Sequence, residues 1–472
     1  MKRSLAALVD NALVSVRGQR VDQPSPYVGD IGGVACVHDL VKAELSAFVR
    51  PFEHAEIGVP DRSGGSWDPV DTGFLESFLP HRADRIATYL KRVVHLAAPI
   101  ITAAACKDMK LSFLSGDSHR GGARPVLVQG SDRRFVVKPA DPRPYELLCH
   151  VLEIVESGLA LGLAYPRLVV RDASHQWQVL PFLEPNICKD KHDERHYMLR
   201  LGAVTAAAYF LDLTDIHCEN LISADCMPVI VDAECMFSGF LGSARTPRQR
   251  LAETGLVATH ADLSAILGGN VETREIGGHL RDGKFNYLRP TQSQSHRLLR
   301  ADGSCSDPRD HIDLISEGFE RALKTMAAKQ RLLTDILYDA RYRTCETRYV
   351  YRPTAHYKCC LELLFAPAST DRHEMRHALL RELFKLTPFD TASDVDTRAG
   401  ELHDLLNGDI PYFHLAGDEP YVLHELGAMS RRNDRFTLNR RIQRALDEFQ
   451  ESDVPMLVDT LQRFLREGRC IV

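Results

Sequence analysis

The chain has 472 residues, 44% of them hydrophobic, which is enough for two or three ordinary domains with a buried core. A net charge of −6 gives no basic footprint for nucleic acid, and no apolar run reaches the ~18 residues that span a bilayer. Asp10 and Asn11 interrupt any signal-peptide core, and the 12 cysteines include no CxxC pair. We therefore expect a globular, cytoplasmic protein with reduced thiols, no membrane span and no nucleic-acid partner.

The first part of the chain is predicted to be helical. Apolar residues recur at three-to-four spacing in residues 40–52 and 84–109, on either side of a Gly/Ser-rich break at residues 62–69. The pattern then alternates between strands and helices, in the order hairpin (125–141), helix (144–163), hairpin (165–185) and helix (194–212). The last helix leads into the acidic stretch DIHCENLISADCMPVIVDAE, residues 215–234.

This order of elements is the layout of a kinase. Protein kinases place a catalytic Asp five positions before a Mg²⁺-binding Asn, and a second metal-binding Asp follows on the next hairpin. Asp215 precedes Asn220 by that spacing, and Asp232 directly follows a predicted strand, turn and strand. Upstream, Lys138 lies in the apolar run FVVKP, where burial without a phosphate or carboxylate partner would be costly. Each residue alone is more often a turn former or helix cap, but the combined spacing favours phosphoryl transfer.

Several motifs together make the chain resemble the dehydratase domain of LanM-type (class II) lanthipeptide synthetases. DIHCENL followed by PVIVDAE is similar to the signature Asp-x-His-x-Glu-Asn and Asp-x-Glu of that domain. Four further segments match in order, namely SGDSHRGG (115–122), GFERALKTM (318–326), RYVYRPTAHY (348–357) and LLNGDIPYF (405–413). The resemblance covers roughly residues 110 to 450 and is most specific in the last motif.

The resemblance implies an α+β fold with a protein- or lipid-kinase-like two-lobed core and extra helical elements at both ends. It also implies an enzyme that phosphorylates Ser and Thr of a ribosomally made precursor peptide with ATP and Mg²⁺, then eliminates the phosphate to leave dehydroalanine or dehydrobutyrine. Lys138 would contact nucleotide phosphate, and Asp215, with His217 and Asn220, would form the catalytic loop. Asp232, with Asn220 and Glu234, would hold the metal. The elimination residues would be Asp117, His119, Arg348 and Thr354, with Lys138 shared.

Elimination gives the second set of residues a chemical purpose. A phosphoserine loses phosphate only if its α-proton is removed and the leaving dianion is stabilised, which suits an arginine beside a lysine. Taken without the family, however, Arg348 would more often coat a solvated face, and Asp117 and His119 would be a polar turn.

We expect four regions: a helical amino-terminal region (1–110), a kinase-like N-lobe (111–185), a C-lobe with the catalytic loop (186–340) and a carboxy-terminal helical region with the elimination residues (341–472). Family members commonly have Lys-Pro-Arg after the lysine strand, whereas this chain has Lys138, Pro139 and Ala140. It is also too short for the family's zinc-dependent cyclase domain, so we expect a free-standing dehydratase working beside a separate cyclase or lyase. Two alternatives stay open: a peptide kinase that hands phosphopeptide to another lyase, and a kinase-like peptide-binding scaffold without catalysis.

Overall fold

The computed structural model describes residues 9–14, 37–46, 73–100, 109–114, 117–172, 174–185, 187–238, 245–258, 264–268, 295–352, 354–364, 395–430 and 433–468. The fold is α+β, as expected. The helices are α1 (9–14), α2 (37–46), α3 (Gly73–Ala97), α4 (Arg143–Leu159), α5 (Lys191–Phe210), α6 (Pro247–Glu253), α7 (Ile312–Ala328), α8 (Gln330–Leu337), α9 (Thr354–Leu364), α10 (Val395–Leu406), α11 (Leu438–Gln450) and α12 (Val454–Glu467). Among the described helices, none has both the length and the apolar composition needed to cross a bilayer.

A five-stranded antiparallel sheet carries the lysine. Its strands lie in the order β1 (Lys110–Phe113), β2 (Val126–Gln129), β3 (Arg134–Lys138), β5 (Gln178–Pro181) and β4 (Val170–Arg171). The predicted hairpin at residues 125–141 is confirmed, because β2 pairs with β3 from Val126 opposite Val137 to Gln129 opposite Arg134. The second predicted hairpin is confirmed by the pairing of β4 with β5. Alternate side chains of β2 and β3 are buried against α3, which fixes the register of the pair.

The acidic stretch folds as predicted into strand, turn and strand. Strand β7 (Leu221–Ala224) pairs with β8 (Met227–Ile230), and Asp225 and Cys226 at the turn both have positive φ, 49° and 54°. Two positive φ values at the centre of a two-residue turn match the right-handed twist of the flanking strands. A short parallel ribbon joins β6 (Ile187–Cys188) to β9 (Leu299–Arg300).

Helices α5 and α7 cross at the centre of the larger core, and two glycines make their close approach possible. A Cβ on Gly202 of α5 would lie 2.0 Å from the backbone oxygen of Ile315, and one on Gly318 of α7 would lie 2.0 Å from the oxygen of Leu199. No side chain fits at such distances, so the two backbones are in direct contact at this crossing. This packing explains the glycine of the Gly-Phe segment, and Phe319 beside it is fully buried.

The structure differs from the prediction at three places. Residues 84–109 were expected to be helical, but α3 ends at Ala97 and residues 98–100 form a turn, while residues 101–108 lie outside the described part of the chain. Helix α4 ends at Leu159 rather than continuing to 163, because the Glu156 carboxylate accepts hydrogen bonds from the backbone N–H groups of 161–163. The region 341–472 is not only helical. It contains a four-stranded sheet in the order β10 (Glu346–Tyr349), β11 (Phe413–Ala416), β12 (Leu423–His424) and β13 (Gly427–Ala428).

Some expectations fall outside the described residues. These are the Gly/Ser-rich break at 62–69, residues 115 and 116 of the SGDSHRGG segment, and the tail at 470–472. The predicted boundaries between the four regions stay predictions.

Candidate active site

A cavity of about 390 Å³ brings together all ten residues that the sequence singled out. They come from the loop after β1, the end of β3, the acidic loop, the segment after β8, and the β10–α9 region. Their side chains line the same cavity: Asp117, His119, Lys138, Asp215, His217, Asn220, Asp232, Glu234, Arg348 and Thr354. A cavity of this size lies within the range that binds small organic ligands. The fold therefore brings these residues to one cavity, while the role of each residue stays a prediction.

Lys138 ends strand β3 and points at the segment after β8. Its Nζ donates to the Val231 carbonyl at 2.9 Å and to Oδ2 of Asp232 at 3.2 Å. Burial alone would raise the pKa of Asp232, but the Lys138 ammonium, the backbone N–H of Glu234 and the Arg348 charge together hold that pKa below its usual value. Asp232 is therefore ionised at neutral pH, and the lysine has the carboxylate partner that its position in an apolar strand requires.

Two hydrogen bonds made by Asn220 hold the loop that contains Asp215. Asp215 has φ 62°, in the left-handed region that a non-glycine residue seldom adopts outside turns and functional sites. Asn220 stabilises this conformation, since its Nδ2 donates to the Asp215 carbonyl at 3.0 Å. The Asn220 carbonyl in turn accepts from the Val231 backbone at 2.9 Å, which ties the loop to the strand that leads to Asp232. With Nδ2 engaged, the side-chain oxygen of Asn220 is the atom available to a cation.

His217 lies in the same loop and closes a local turn. Its Nδ1 accepts a hydrogen bond from the backbone N–H of Glu219 at 3.2 Å. The Glu219 side chain is exposed, although it too reaches the cavity. This hydrogen bond to His217 stabilises the backbone turn that follows Asp215.

Glu234 joins the acidic loop to the carboxy-terminal sheet. Arg348 donates to Glu234 Oε1 at 2.9 Å, and the backbone N–H of Arg348 also donates to the Glu234 carbonyl at 2.7 Å. Tyr412 donates to Oε2 at 3.3 Å. Burial and the nearby Asp232 charge raise the pKa of Glu234, and Arg348 opposes them. Strand β10 thus places a guanidinium directly beside the two carboxylates of the Asp-x-Glu motif.

Asp117 and His119 lie on the other side of that arginine. Lys358 of α9 makes an ion pair with Asp117 at 2.6 Å. Burial would raise the pKa of Asp117, but the Lys358 charge holds it below its usual value. Burial and the positive charge of Arg348 lower the pKa of His119 to about 4, so its ring is neutral at pH 7. Its Nδ1 is 2.8 Å from the Ile410 carbonyl. A neutral ring must donate there, which leaves Nε2 as an unprotonated base.

The Gly-Asp-Ile-Pro-Tyr-Phe motif holds the loop of Asp117 and His119 in place. Asp409 is buried and accepts from the Ser118 hydroxyl at 2.5 Å and from the Gly121 and Gly122 backbones at 2.7 and 3.1 Å. Gly121 and Gly122 have φ of 89° and 87°, values that favour glycine. The loop can therefore turn tightly enough to present two N–H groups to one carboxylate.

The donor set fits a hard divalent cation and a phosphate-bearing ligand. Asp232, Glu234 and Asn220 offer oxygen ligands, which Mg²⁺ prefers, and Asp232 is ionised. Lys138 and Arg348 offer nitrogen donors suited to phosphate oxygens. Apolar side chains, namely those of Val136, Leu180, Leu183 and Ile222, also line the cavity, as a flat organic base requires.

Among the lining residues that were not picked out from the sequence, Lys358, Tyr412 and Arg120 contact the predicted residues or one another. Lys358 follows Thr354 by four positions, so the two lie on one face of α9, and this spacing was a usable signal. Tyr412 is part of a motif that was noted without a role for the tyrosine. It packs with Arg120, whose guanidinium lies 3.9 Å from the ring centroid. No local pattern in the sequence predicted the place of Arg120.

Comparison with known proteins assigns the chain to a family. A family model described as "Domain of unknown function (DUF4135)" matches residues 75–416, from within α3 to the end of β11. The chain belongs to the DUF4135 family. The DUF4135 match therefore includes most of α3 as well as every candidate residue of the cavity, and it begins earlier than the resemblance drawn from the motifs.

A curated relative points in the same direction. The chain is 26% identical over 258 residues to the "Lacticin 481/lactococcin biosynthesis protein LcnDR2" of Lactococcus lactis subsp. lactis. The match covers 49% of this chain and 27% of the relative, so the chain spans less than a third of that protein. Together, the DUF4135 match and this relative support the LanM-like resemblance identified from the motifs.

Proposed function

We propose that this DUF4135 chain is a LanM-like lanthipeptide dehydratase. It would phosphorylate Ser and Thr side chains of a ribosomally made precursor peptide with ATP and Mg²⁺, and then eliminate the phosphate to leave dehydroalanine or dehydrobutyrine. The observation that carries this proposal is the shared cavity. Residues suited to phosphoryl transfer and residues suited to elimination line the same space, and Glu234 and Arg348 connect them at 2.9 Å. One substrate side chain could undergo both steps without leaving the site.

In the first step, the chain's residues would position the reactants and balance charge. ATP would supply the phosphoryl group and Mg²⁺ would neutralise its oxygens, held by Asp232, Asn220 and Glu234. Lys138, already paired with Asp232 at 3.2 Å, would move its ammonium to phosphate oxygen. The substrate hydroxyl oxygen would bond to the γ-phosphorus, the bond from that phosphorus to the ADP oxygen would break, and ADP would leave with the bonding pair. The Asp215 carboxylate would accept the proton of the hydroxyl, in the loop conformation that Asn220 stabilises.

In the second step, a base would take the α-proton of the phosphorylated residue. The Cα–H electron pair would become the Cα–Cβ double bond, the Cβ–O bond would break, and phosphate would leave with that bonding pair. The neutral Nε2 of His119 suits proton removal, because Nδ1 is engaged by the Ile410 carbonyl. Arg348, with Lys138, would stabilise the leaving phosphate, and Thr354 would position it.

The arrangement of elements supports a kinase-like two-lobed core for this chain. The lysine strand β3 lies in a five-stranded antiparallel sheet, and α4 connects β3 to the next hairpin. After that hairpin the chain continues through β6 into α5 and the loop of Asp215. Lys138 meets the carboxylate after the β7–β8 hairpin, as the proposed layout requires.

The proposal is tested with the purified protein, a precursor peptide encoded beside its gene, ATP and Mg²⁺, read by intact mass. Loss of about 18 Da per modified residue supports the dehydratase. The Arg348→Ala variant should then accumulate peptide that is heavier by about 80 Da, one phosphoryl group, because phosphorylation continues while elimination stops. Asp215→Asn should abolish both changes. An unchanged mass with a matched peptide and folded protein would refute the proposal and favour the scaffold.

A kinase without lyase activity is the second candidate, and one observation favours it. Arg348 and Asp117, which are assigned to elimination, already form ion pairs. Arg348 pairs with Glu234, and Asp117 pairs with Lys358. If these ion pairs are only structural, the wild-type product is phosphopeptide, and Arg348→Ala leaves the product unchanged. Wild-type loss of water excludes this alternative.

A further inference from the structure

A second group of metal-ligating side chains lies outside the cavity. Cys188 of β6, Asp193 in the first turn of α5, and Cys226 at the β7–β8 turn place their two sulfurs and a carboxylate oxygen within 4.8 Å of one another. None of the three lines the candidate active site. Cys188 and Asp193 are five residues apart in the sequence, whereas Cys226 comes from a separate hairpin, so tertiary folding brings the second thiol to the other two ligands.

We propose that Cys188, Cys226 and Asp193 form a binding site for a soft divalent cation, Zn²⁺ in the first instance. Thiolate sulfur selects zinc over Mg²⁺, and carboxylate oxygen also binds zinc, so two thiolates and one carboxylate supply three protein ligands. The fourth position of a tetrahedral ion is left for water, or for His196, which follows Asp193 by three residues on the same side of α5. This site is independent of the proposed dehydratase activity.

The geometry needs only a small adjustment. Zinc–sulfur bonds of about 2.3 Å in a tetrahedron separate two sulfurs by about 3.8 Å, so the ligand atoms must approach by at most about 1 Å. Cys188 is buried, and its thiol now donates to the Asp190 carbonyl at 2.9 Å. That hydrogen bond would be replaced when the thiol loses its proton to bind the ion. Cys226 sits at a turn with φ 54°, an exposed enough position for an ion to enter.

The site would fasten three parts of the fold. Strand β6 pairs with β9, α5 crosses α7, and the β7–β8 hairpin continues into Asp232. An ion held by all three elements would restrain the tip of the hairpin whose other end carries the Lys138 partner. Zinc binding should therefore raise the melting temperature of the full chain.

Metal-free full-length protein, treated with reductant and chelator and then desalted, would be titrated with Co²⁺ and with Zn²⁺ under nitrogen. We expect a thiolate-to-cobalt charge-transfer band in the near ultraviolet that Zn²⁺ removes at one equivalent. Because even outer-shell partners change metal affinity by ~10–100-fold, Cys188→Ser and Cys226→Ser should each weaken Zn²⁺ at least about 100-fold. Cys149 of α4 is buried and is not one of the three proposed ligands, so Cys149→Ser should bind the ion as the wild type does.

The results distinguish the proposed zinc site from misfolding of a variant, from metal binding by other thiols and from a disulfide. Cys226→Ser also guards against misfolding, because its unchanged circular dichroism with lost cobalt absorption would support the site. A band that persists in both single variants would overturn the proposal, since other thiols would then hold the metal. The intact mass of the protein before reduction gives the last outcome. A mass lower by two hydrogens with no bound ion, and absence of this difference in either serine variant, would overturn the proposal in favour of a Cys188–Cys226 disulfide.

Discussion

Replacing Arg348 with alanine should destabilise the protein as well as change its product. The arginine and Glu234 are both largely buried and lie 2.9 Å apart, with Asp232 nearby. Breaking a buried ion pair by removing one partner costs about 3–5 kcal/mol, because the remaining charge is left without compensation. We expect a loss of about 3 kcal/mol in the free energy of unfolding, measured by urea denaturation of the ligand-free protein. The exposed Arg343→Ala is the matched control and should change it by less than about 0.5 kcal/mol.

The deficit should depend on pH in a defined direction. Burial and Asp232 already raise the pKa of Glu234, and removal of Arg348 raises it further. A carboxyl whose folded-state pKa is raised destabilises the fold only where the unfolded chain would be ionised, so the deficit grows as pH rises above the ordinary value of 4.5 and shrinks as pH falls. Adding Glu234→Gln to Arg348→Ala should recover about 2 kcal/mol at pH 8. A deficit below about 1 kcal/mol that is independent of pH would refute the coupling of this pair.

Three further predictions address other parts of the fold. Gly318→Ala forces a methyl group into backbone 2.0 Å away and should lower the free energy of unfolding by about 3 kcal/mol or more, whereas Gly158→Ala meets only the movable Thr325 side chain and should change it far less. Asp409→Ala leaves the N–H groups of the 118–122 loop unpaired and should slow elimination from a preformed phosphopeptide at least tenfold, about 1.4 kcal/mol, while ATP turnover persists. The pKa of His119 is lowered to about 4, so the neutral ring contributes its full stabilisation above the ordinary pKa of 6.5, and this contribution is lost as pH falls towards 4. His119→Gln should therefore reduce the dependence of the free energy of unfolding on pH between about 4 and 6.5. The exposed His95→Gln is the control and should leave that dependence unchanged.

The parts of the fold that the sequence predicted correctly are those with a local signal. The hairpin at 125–141 shows alternating apolar residues around a turn, and the helix at 194–212 is a long apolar run, so both could be found without knowing their neighbours. Strand β1 was missed because its four residues follow directly on a helical pattern. The β6–β9 ribbon was missed because each strand has two residues and more than a hundred residues separate them. Pairing at that distance leaves no periodicity to detect.

The candidate site shows the same division. Asp215, Asn220 and Asp232 could be placed together because phosphoryl transfer imposes a spacing within one segment. The positive φ of Asp215 could not be predicted, since Asp is compatible with several turn conformations. Arg120 and Tyr412 are almost three hundred residues apart, and only the folded chain stacks the guanidinium on the ring. Such pairs are determined by tertiary packing, which one sequence without relatives does not reveal.

The two sets of residues proposed for the two steps are held in the cavity by different kinds of contact. The residues proposed for phosphoryl transfer come from β3 and one continuous segment around the β7–β8 hairpin, so a few local hydrogen bonds position them. Apart from the shared Lys138, the residues proposed for elimination come from two distant parts of the chain, Asp117 with His119 and Arg348 with Thr354. Contacts of Asp409, Glu234 and the Tyr412 ring hold these parts together. A perturbation of the carboxy-terminal sheet should therefore weaken elimination before phosphorylation. The order of loss, with heavier peptide appearing before all modification ceases, distinguishes this arrangement from a site that unfolds as one unit.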